Sequence, residues 1–280
     1  PLGPRRREAT SDASGAFGSA TIRTDGTFTL GQNSWLITGR NEVSARNGGD
    51  LFVHAARGVV INDGLLGIHH TGRVEFRTSG DLLVGDGTFW NSMGGDLVFA
   101  ARDIRLVAAN LNSYANAPEA PGDLVFHASR DVTLDESFLY GGRGTCADGG
   151  SVFIVASRNV VLSNYSEIYG GNAEVDGSGC PPGAGGSVSV RAGGTITSTD
   201  PDWSVEEAIN EGTHATGGTA GTRTITATDT GIPVLTADPR LGPSVKFTSL
   251  AHPLDAARAI TDVTLLSTEP TDDHAVDLSV

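Results

Sequence analysis

Residues 121–134 read PGDLVFHASRDVTL, and close copies of this stretch recur along the chain. The copies are GGDLFVHAARGVVI at 48–61, GGDLVFAARDIRL at 94–106, GGSVFIVASRNVVL at 149–162 and, more faintly, GGSVSVRAGGTI at 185–196. Successive register glycines at Gly26, Gly49, Gly72 and Gly95 are 23 residues apart, after which the steps lengthen through Gly122, Gly150, Gly186 and Gly221. A fixed short period that later stretches is typical of a solenoid that acquires insertions.

Alternation within each copy predicts β-strands. Leu124 and Phe126 share one face, and Val125 and His127 share the other, which is the period of two that a strand requires. We therefore predict an all-β fold, a right-handed parallel β-helix of about eight rungs, with Leu134 and Val160 among its inward side chains. The paired glycines are expected at turns, where positive φ angles favour glycine.

The chain divides into three segments by composition. Residues 1–20 are predicted to be a disordered leader, and Pro1-Leu2-Gly3 resembles the remnant of a cleaved tag. Residues 21–221 form the predicted β-helix, and 222–280 form a C-terminal cap or a junction to another domain. The insertions after the third strand should project from one edge, and Ser204 is expected to cap a short helix within the last of them.

Charge and cysteine content restrict the partners and the compartment. The net charge of −14 argues against nucleic acid and anionic membranes as partners, and no apolar run is long enough for membrane insertion. Cys146 and Cys180 occupy matching places in consecutive insertions, so we predict a disulfide between them. Such a bond implies an oxidising compartment, hence an extracellular or outer cell surface location.

Five aromatic residues recur at similar distances from the register glycines, which suggests a column on the edge that carries the insertions. Aromatic faces along a groove bind sugar rings, although a ladder that only stiffens the solenoid would read the same way. Two acidic residues of the neighbouring insertions could accept hydrogen bonds from hydroxyl groups. The predicted ligand-binding residues are Trp90, Tyr114, Tyr140, Tyr169, Trp203, Asp148 and Glu174.

Other chemistry has weaker support. Arg57, Arg102, Arg130 and Arg158 form a second column, which is a polyanion-binding stripe or, more simply, a ladder neutralised by nearby acids. The acidic insertions lack the repeated calcium-binding nonapeptide, so no metal and no cofactor is predicted. His54 and His127 share one position of the repeat, on the outward face. No local nucleophile, base or carboxylate pair indicates catalysis.

The copies GGDLFVHAARGVVI, GGDLVFAARDIRL and PGDLVFHASRDVTL resemble the degenerate rungs of filamentous-haemagglutinin-type bacterial surface proteins. The resemblance covers roughly residues 26–200 and implies a secreted or surface protein used in adhesion or as a structural stalk. The cysteine pair and the lengthening insertions depart from that family. We expect an adhesin, glycan-binding or scaffold protein without catalysis, which contacts a polysaccharide or a host or neighbouring surface. The alternatives are a polysaccharide lyase or glycoside hydrolase of β-helix fold, and an oligomeric fibre or coat component.

Overall fold

The computed structural model describes residues 20–31, 35–38, 50–62, 65–69, 72–86, 89–113, 121–175, 179–227, 262–267 and 276–279. For residue 20 and for 35–38, 65–69, 89–93, 262–267 and 276–279 it describes the backbone alone. The predicted leader at 1–20 therefore lies almost wholly outside the described residues.

Parallel strands dominate the chain and form three long stacked sheets. The first sheet contains, in spatial order from one end, β1 (Ala20–Thr24), β4 (Leu51–Ala55), β7 (Arg73–Thr78), β10 (Asp96–Ala101), β13 (Leu124–Ala128), β17 (Val152–Ala156), β21 (Val188–Ala192) and β24 (Arg223–Ala227). Beside β1, this sheet is extended by the antiparallel strands β25 (Asp262–Ser267) and β26 (Val276–Ser279). The parallel pairing continues beyond residue 221, so the first sheet reaches into the segment that the sequence assigned to a cap.

The second and third sheets repeat the same order of rungs. The second contains β2 (Thr27–Leu30), β5 (Gly58–Ile61), β8 (Asp81–Val84), β11 (Ile104–Val107), β14 (Val132–Asp135), β18 (Val160–Ser163) and β22 (Ile196–Ser198). The third contains β3 (Trp35–Thr38), β6 (Leu65–His69), β9 (Phe89–Met93), β12 (Asn110–Ser113), β15 (Phe138–Tyr140), β19 (Glu167–Tyr169) and β23 (Ile209–Asn210). Each turn of chain thus contributes one strand to each sheet, an all-β solenoid compatible with a parallel β-helix.

Two small elements lie within the insertions. Strands β16 (Gly144–Thr145) and β20 (Ala173–Glu174) pair in parallel outside the main sheets. The helix α1 (Val205–Ala208) begins at Ser204, whose side chain accepts from the Glu207 N–H while Glu207 accepts from the Ser204 N–H. This capping box confirms the predicted cap. However, the chain passes straight from α1 into β23, so the residues before Ile209 are inserted ahead of the third strand and not after it.

The core consists of in-register columns of aliphatic and aromatic side chains. Leu134 and Val160 are fully buried, as predicted, and Leu134 pairs in register with Leu106 and Leu162. Phe76, Phe99 and Phe126 are also fully buried and stack along the first sheet, with ring centroids 5.5 and 5.3 Å apart. Parallel strands about 4.8 Å apart bring equivalent side chains into contact, so a single inward residue type at each position suffices to fill the interior.

The first rung differs from the predicted register. Ala20 pairs with Leu51, and Thr27 pairs with Gly58, so Gly26 lies between the first and second strands and does not match Gly49. The 23-residue step from Gly26 to Gly49 is therefore a coincidence. Glycine occurs in some turns between the first and second strands as well as before the first strand, so spacing alone does not distinguish the two kinds of turn.

The outward face of the first sheet is more buried than the alternation predicts. His127 is 1% exposed and Val125 is 1% exposed. Glu75 is 3% exposed and is ion-paired with both Arg77 and Arg73. In this region of the sheet both faces are shielded from water, and the buried carboxylate of Glu75 is paired with two guanidinium groups.

Candidate functional site

Two of the predicted aromatic residues lie side by side on the third sheet. Tyr140 and Tyr169 pair in register on adjacent strands, and the residues that precede them, Leu139 and Ile168, point into the core. The two tyrosines are therefore on the outward face, where both are half-buried. Phe138, two residues before Tyr140, shares this face, with ring centroids 6.1 Å from Tyr140 and 5.7 Å from Tyr169. We refer to Phe138, Tyr140 and Tyr169 as the aromatic cluster.

Two other members of the predicted column, Trp90 and Trp203, are at different positions along the chain's rungs. Trp90 pairs in register with Leu111, which in turn pairs with Leu139, so the backbone of Trp90 is one residue out of register with Tyr140. A shift of one residue exchanges the two faces of a strand, and a ligand-binding role of Trp90 stays a prediction. The lengths of the turns within each rung vary by a residue, and counting from the glycines therefore loses the register. Tyr114 lies outside the described residues.

Trp203 belongs to a different corner of the molecule. It precedes α1, packs partly against the core, and meets Tyr165 edge-on with ring centroids 6.2 Å apart. Tyr165 is 58% exposed, and its backbone N–H donates to Asp200 at 2.8 Å. Trp203 and Tyr165 are therefore a separate aromatic pair between the second and third strands of their rungs.

Polar groups surround the hydroxyl of Tyr140. The backbone N–H of Asn172 donates to this hydroxyl at 3.3 Å, and Arg143 and Glu174 form an ion pair of 3.2 Å on the adjoining β16 and β20 segment. Burial is the main cause that raises the pKa of Tyr140, and the charge of Glu174 adds to it. The hydroxyl stays protonated at neutral pH and is able to donate a hydrogen bond.

Tyr169 has a comparable environment. Its pKa is raised by burial first and then by the neighbouring carboxylate of Glu167, while a hydrogen bond with Asn210 has the opposite effect. Both tyrosine hydroxyls are thus neutral groups beside carboxylates and amides. An arrangement of aromatic faces with neutral hydroxyls and amides is suited to a polyhydroxylated ligand.

A disulfide holds together the insertions next to the cluster. Cys146 and Cys180 are bonded, with Cα atoms 5.5 Å apart, which confirms the prediction. The Cys146 N–H also donates to the carbonyl oxygen of Glu174 at 2.8 Å. The Asp148 carboxylate accepts from the Ala184 N–H at 2.7 Å, and this hydrogen bond connects one insertion to the next. Of the two predicted acidic ligands, Glu174 lies beside Tyr140, and Asp148 has this structural partner.

Glycines form the inner wall of the insertions. Among the described residues, the glycines with positive φ are Gly94, Gly142, Gly179 and Gly217. Three of them belong to Gly-Gly pairs, as predicted, but none of the four is a register glycine. The register glycines instead let backbones touch. A β-carbon added at Gly186 would lie 1.9 Å from the Gly150 carbonyl oxygen, and one at Gly221 would lie 2.0 Å from that of Gly186.

These contacts join five rung-closing segments into one hydrogen-bonded line, which we call the glycine seam. Gly171 donates to Gly150 at 2.8 Å, Gly186 to Gly171 at 2.7 Å, Gly212 to Gly186 at 2.9 Å and Gly221 to Gly212 at 3.1 Å. Along the seam, glycines at the start of an insertion (Gly171 and Gly212) therefore alternate with glycines at the end of one (Gly150, Gly186 and Gly221). Where the main core uses apolar side chains, the base of the insertions uses bare backbone.

Three of the four arginines in the predicted column are each paired with a carboxylate of the preceding rung. Arg102 donates to Asp81 through Nε at 2.9 Å and Nη2 at 2.8 Å, Arg130 lies 3.3 Å from Asp103, and Arg158 pairs with Asp131. Burial tends to raise the pKa of Asp131, but hydrogen bonds from Arg158 and Asn159 outweigh it, so the pKa is lowered. Cations committed to carboxylates in this way favour the ladder over a polyanion-binding stripe.

Two further ladders of hydrogen bonds run through the turns. In each, a side-chain oxygen of one rung accepts from a backbone N–H of the next rung. On one corner, Asp96 accepts from the Asp123 N–H and Asp123 accepts from the Ser151 N–H, both at 2.9 Å. On the next corner, Asp103 accepts from Asp131, Asp131 from Asn159 and Asn159 from Thr195, at 3.0 to 3.2 Å. These Asp and Asn side chains therefore hold consecutive rungs together.

The two histidines of the repeat share a register position but are not neighbours. Arg77 and Ala100 occupy that position on the two strands between His54 and His127, so the histidines form neither a pair nor a ladder. The pKa of His54 is lowered to about 4, by burial first and then by the charge of Arg77. His54 is neutral at physiological pH.

Residues that the sequence analysis missed are Phe138, Tyr165 and Asn172. Phe138 was detectable, because it precedes Tyr140 by two residues and alternation places both on one face. Asn172 acts through its backbone N–H, which no side-chain pattern reveals. In the described stretches of the chain, no group of three or more His, Cys, Asp or Glu side chains is arranged to hold a metal ion. Within the same residues, no helix is long and apolar enough to cross a membrane.

Comparisons with known proteins add no relative. The chain matches no model of a known protein family, no curated protein and no solved structure. The functional argument therefore depends on the geometry of the aromatic cluster and its surroundings. The disulfide points to a non-cytoplasmic location.

Proposed function

We propose that this chain is a right-handed parallel β-helix of about eight rungs, exported to the cell surface or secreted, which binds glycans or scaffolds a surface without catalysis. The aromatic cluster is the observation that carries the glycan-binding role. The rings of Phe138, Tyr140 and Tyr169 are half-buried and lie on one outward face. The centroid of the Phe138 ring is 6.1 Å from that of Tyr140 and 5.7 Å from that of Tyr169. Such rings contribute binding energy through apolar contact with sugar C–H groups.

The polar surroundings support the same assignment. The Tyr140 and Tyr169 hydroxyls are protonated at neutral pH, and the side chains of Glu174 and Glu167 lie close enough to raise their pKa values. Sugar hydroxyls both donate and accept, so neutral hydroxyls beside carboxylates offer partners of both kinds. The insertions that border the cluster are tied by the Cys146–Cys180 bond, which preorganises the surface and lowers the entropy cost of binding.

The compartment and partners follow from the disulfide and the charge. A disulfide is stable in an oxidising environment, which supports an extracellular or outer surface location. The likeness of the rungs to filamentous-haemagglutinin-type proteins supports a role in adhesion to a polysaccharide or to a host or neighbouring surface. The net charge of −14 disfavours nucleic acid as a partner.

A glycan array with three proteins tests the proposal. The wild type is compared with the Tyr140→Ala/Tyr169→Ala double variant and with Tyr165→Ala, an aromatic control that removes an exposed ring outside the cluster. Each ring should contribute about 1 kcal/mol, so the double variant is expected to lose about tenfold or more in affinity. Tyr165→Ala should bind as the wild type does, and thermal melting establishes that all three are folded.

The opposite pattern would identify a stiffening ladder. If the double variant melts well below the wild type while its glycan affinity is unchanged, the cluster serves stability and not recognition. A wild type that binds no glycan on the array contradicts the glycan-binding role and leaves the scaffold role to stand alone.

A further inference from the structure

We infer that the aromatic cluster selects an uncharged glycan and that the Arg143–Glu174 ion pair excludes acidic polysaccharides. This inference rests on the proposed glycan binding and specifies its ligand class. The ligand would be a chain of neutral pyranoses that present a continuous C–H face, such as a β-linked glucan. Uronate and sulfated polymers would be rejected.

The shape of the cluster indicates the apolar portion of this ligand. Tyr140 and Tyr169 are in register on adjacent parallel strands, which are about 4.8 Å apart. That spacing suits successive sugar rings of a chain laid along the solenoid axis. Phe138 adds a ring without any polar atom, so the surface demands that the sugar face against it be free of charge and of hydroxyl groups.

The charges around the cluster disfavour an anionic ligand. Arg143 is held by Glu174 at 3.2 Å. Arg223, the first residue of β24, donates to the carbonyl oxygens of Glu206 and of Ile209 in the third sheet at 2.8 and 3.0 Å and lies 3.7 Å from Glu211. Both arginines that the structure describes in this region are therefore already engaged. A uronate would find no cation ready to pair with it.

A carboxylate also lies beside each of the two tyrosines. Glu167 lies beside Tyr169 and raises its pKa, and Glu174 does the same at Tyr140. These charges repel a second carboxylate brought onto the rings, and the net charge of −14 adds a long-range repulsion. The same carboxylates accept hydrogen bonds from neutral hydroxyls, so they discriminate by charge without opposing neutral sugars.

The ion pair makes the discrimination testable by a single substitution. Glu174→Gln keeps the size and hydrogen-bonding capacity of the side chain but removes the negative charge that faces the Arg143 guanidinium. Without that charge, a uronate carboxylate is expected to be attracted to Arg143. Glu206→Gln is the matched control, because Glu206 is exposed in the first turn of α1 and its carboxylate has no role in the cluster.

Binding is measured by isothermal titration calorimetry with a soluble β-glucan and with polygalacturonate, at low ionic strength, for wild type, Glu174→Gln, Glu206→Gln and Tyr140→Ala/Tyr169→Ala. We expect the wild type to bind the glucan at least tenfold more tightly than polygalacturonate. Glu174→Gln should narrow that ratio at least fivefold by gaining affinity for polygalacturonate, while Glu206→Gln leaves the ratio unchanged.

The outcomes separate this inference from the proposed function. Tighter binding of polygalacturonate by the wild type, lost in the tyrosine double variant, overturns the ligand class and keeps the glycan site. An unchanged ratio in Glu174→Gln overturns the role of the ion pair. Absence of binding to both polymers and to the glycan array overturns the glycan site itself.

Discussion

The backbone of Gly186 touches that of Gly150 so closely that a β-carbon on Gly186 would lie 1.9 Å from the Gly150 carbonyl oxygen. Gly186 lies in the middle of the glycine seam, accepting from Gly212 and donating to Gly171. The contact involves backbone on both sides, so a side chain is not accommodated by the rotation of a neighbour.

Gly186→Ala is therefore expected to destabilise the protein by about 1–3 kcal/mol through forced backbone displacement. Gly31→Ala is the matched control, because a β-carbon at Gly31 has no atom within 4 Å. Chemical denaturation of both variants measures the difference. If the two variants unfold at the same denaturant concentration, the close approach at Gly186 is not a constraint on the fold.

A buried charge in the core column should unfold the neighbouring rungs. Leu134 is fully buried between Leu106 and Leu162, so Leu134→Asp places an unpaired carboxylate where burial costs several kcal/mol. The adjacent Thr133 is half-buried on the opposite face, and Thr133→Asp should be tolerated far better. Thermal melting followed by circular dichroism compares them, and a lower melting temperature for Thr133→Asp than for Leu134→Asp would mean that the register is reversed.

Removal of the disulfide should lower the free energy of unfolding. The Cys146–Cys180 bond closes 34 residues, and the chain-entropy relation gives about 3 to 4 kcal/mol for a loop of this size. A Cys146→Ser/Cys180→Ser variant is expected to lose about this much stability in denaturant titrations under non-reducing conditions. Thiol titration of unfolded wild type prepared without reductant should detect no free thiol, and two free thiols would contradict the bond.

The ion pair of Asp131 predicts a specific acid sensitivity. Its folded pKa is below the unfolded value of about 3.9, so the folded state binds this proton less readily than the unfolded state does. The stabilisation is fully present above that unfolded value and is lost as the pH falls towards the folded pKa. Asp131→Asn should therefore melt lower than wild type at pH 6, with the gap shrinking as the pH falls below about 4.

Asn is a suitable replacement at this position, because Asn159 makes the equivalent contact in the following rung, where it accepts from the Thr195 N–H at 3.0 Å. The substitution thus removes the charge and keeps the backbone contact. A gap in melting temperature that is independent of pH would show that Asp131 acts through its geometry and not through its ionisation.

The core and the disulfide could be predicted from the sequence because both follow from the repeat. Inward positions such as Leu134 and Val160 carry an apolar residue in nearly every copy, and cysteines at similar offsets in consecutive insertions meet when the copies stack. The register at Trp90 could not be predicted, because the turn before the third strand varies in length. One residue more or less there reverses the face.

The close backbone contacts of the register glycines were also hidden from the sequence. A glycine with positive φ and a glycine pressed against a neighbouring backbone look identical in a sequence, and the distinction depends on contacts between rungs. The burial of His127 and Val125 could likewise not be predicted, because the alternation of side chains distinguishes the two faces of a strand but does not show what covers each face. Of the site, Tyr140, Tyr169 and Glu174 were predictable, whereas the backbone donor of Asn172 was not.

The two corner ladders have a direction that bears on how the chain is built. In both, the acceptor sits on the earlier rung and the donor on the later one, as when Asp96 receives the N–H of Asp123 and Asp131 receives that of Asn159. At the rungs that carry Asp96, Asp103, Asp123 and Asp131, a nascent solenoid therefore ends in hydrated carboxylates, to which the next rung donates its backbone N–H groups. Because like charges repel, two unfinished chains are discouraged from stacking end to end at these rungs. Growth from the N-terminus to the C-terminus, the order in which a chain is synthesised, is thus protected through this middle part of the solenoid against association with the wrong partner.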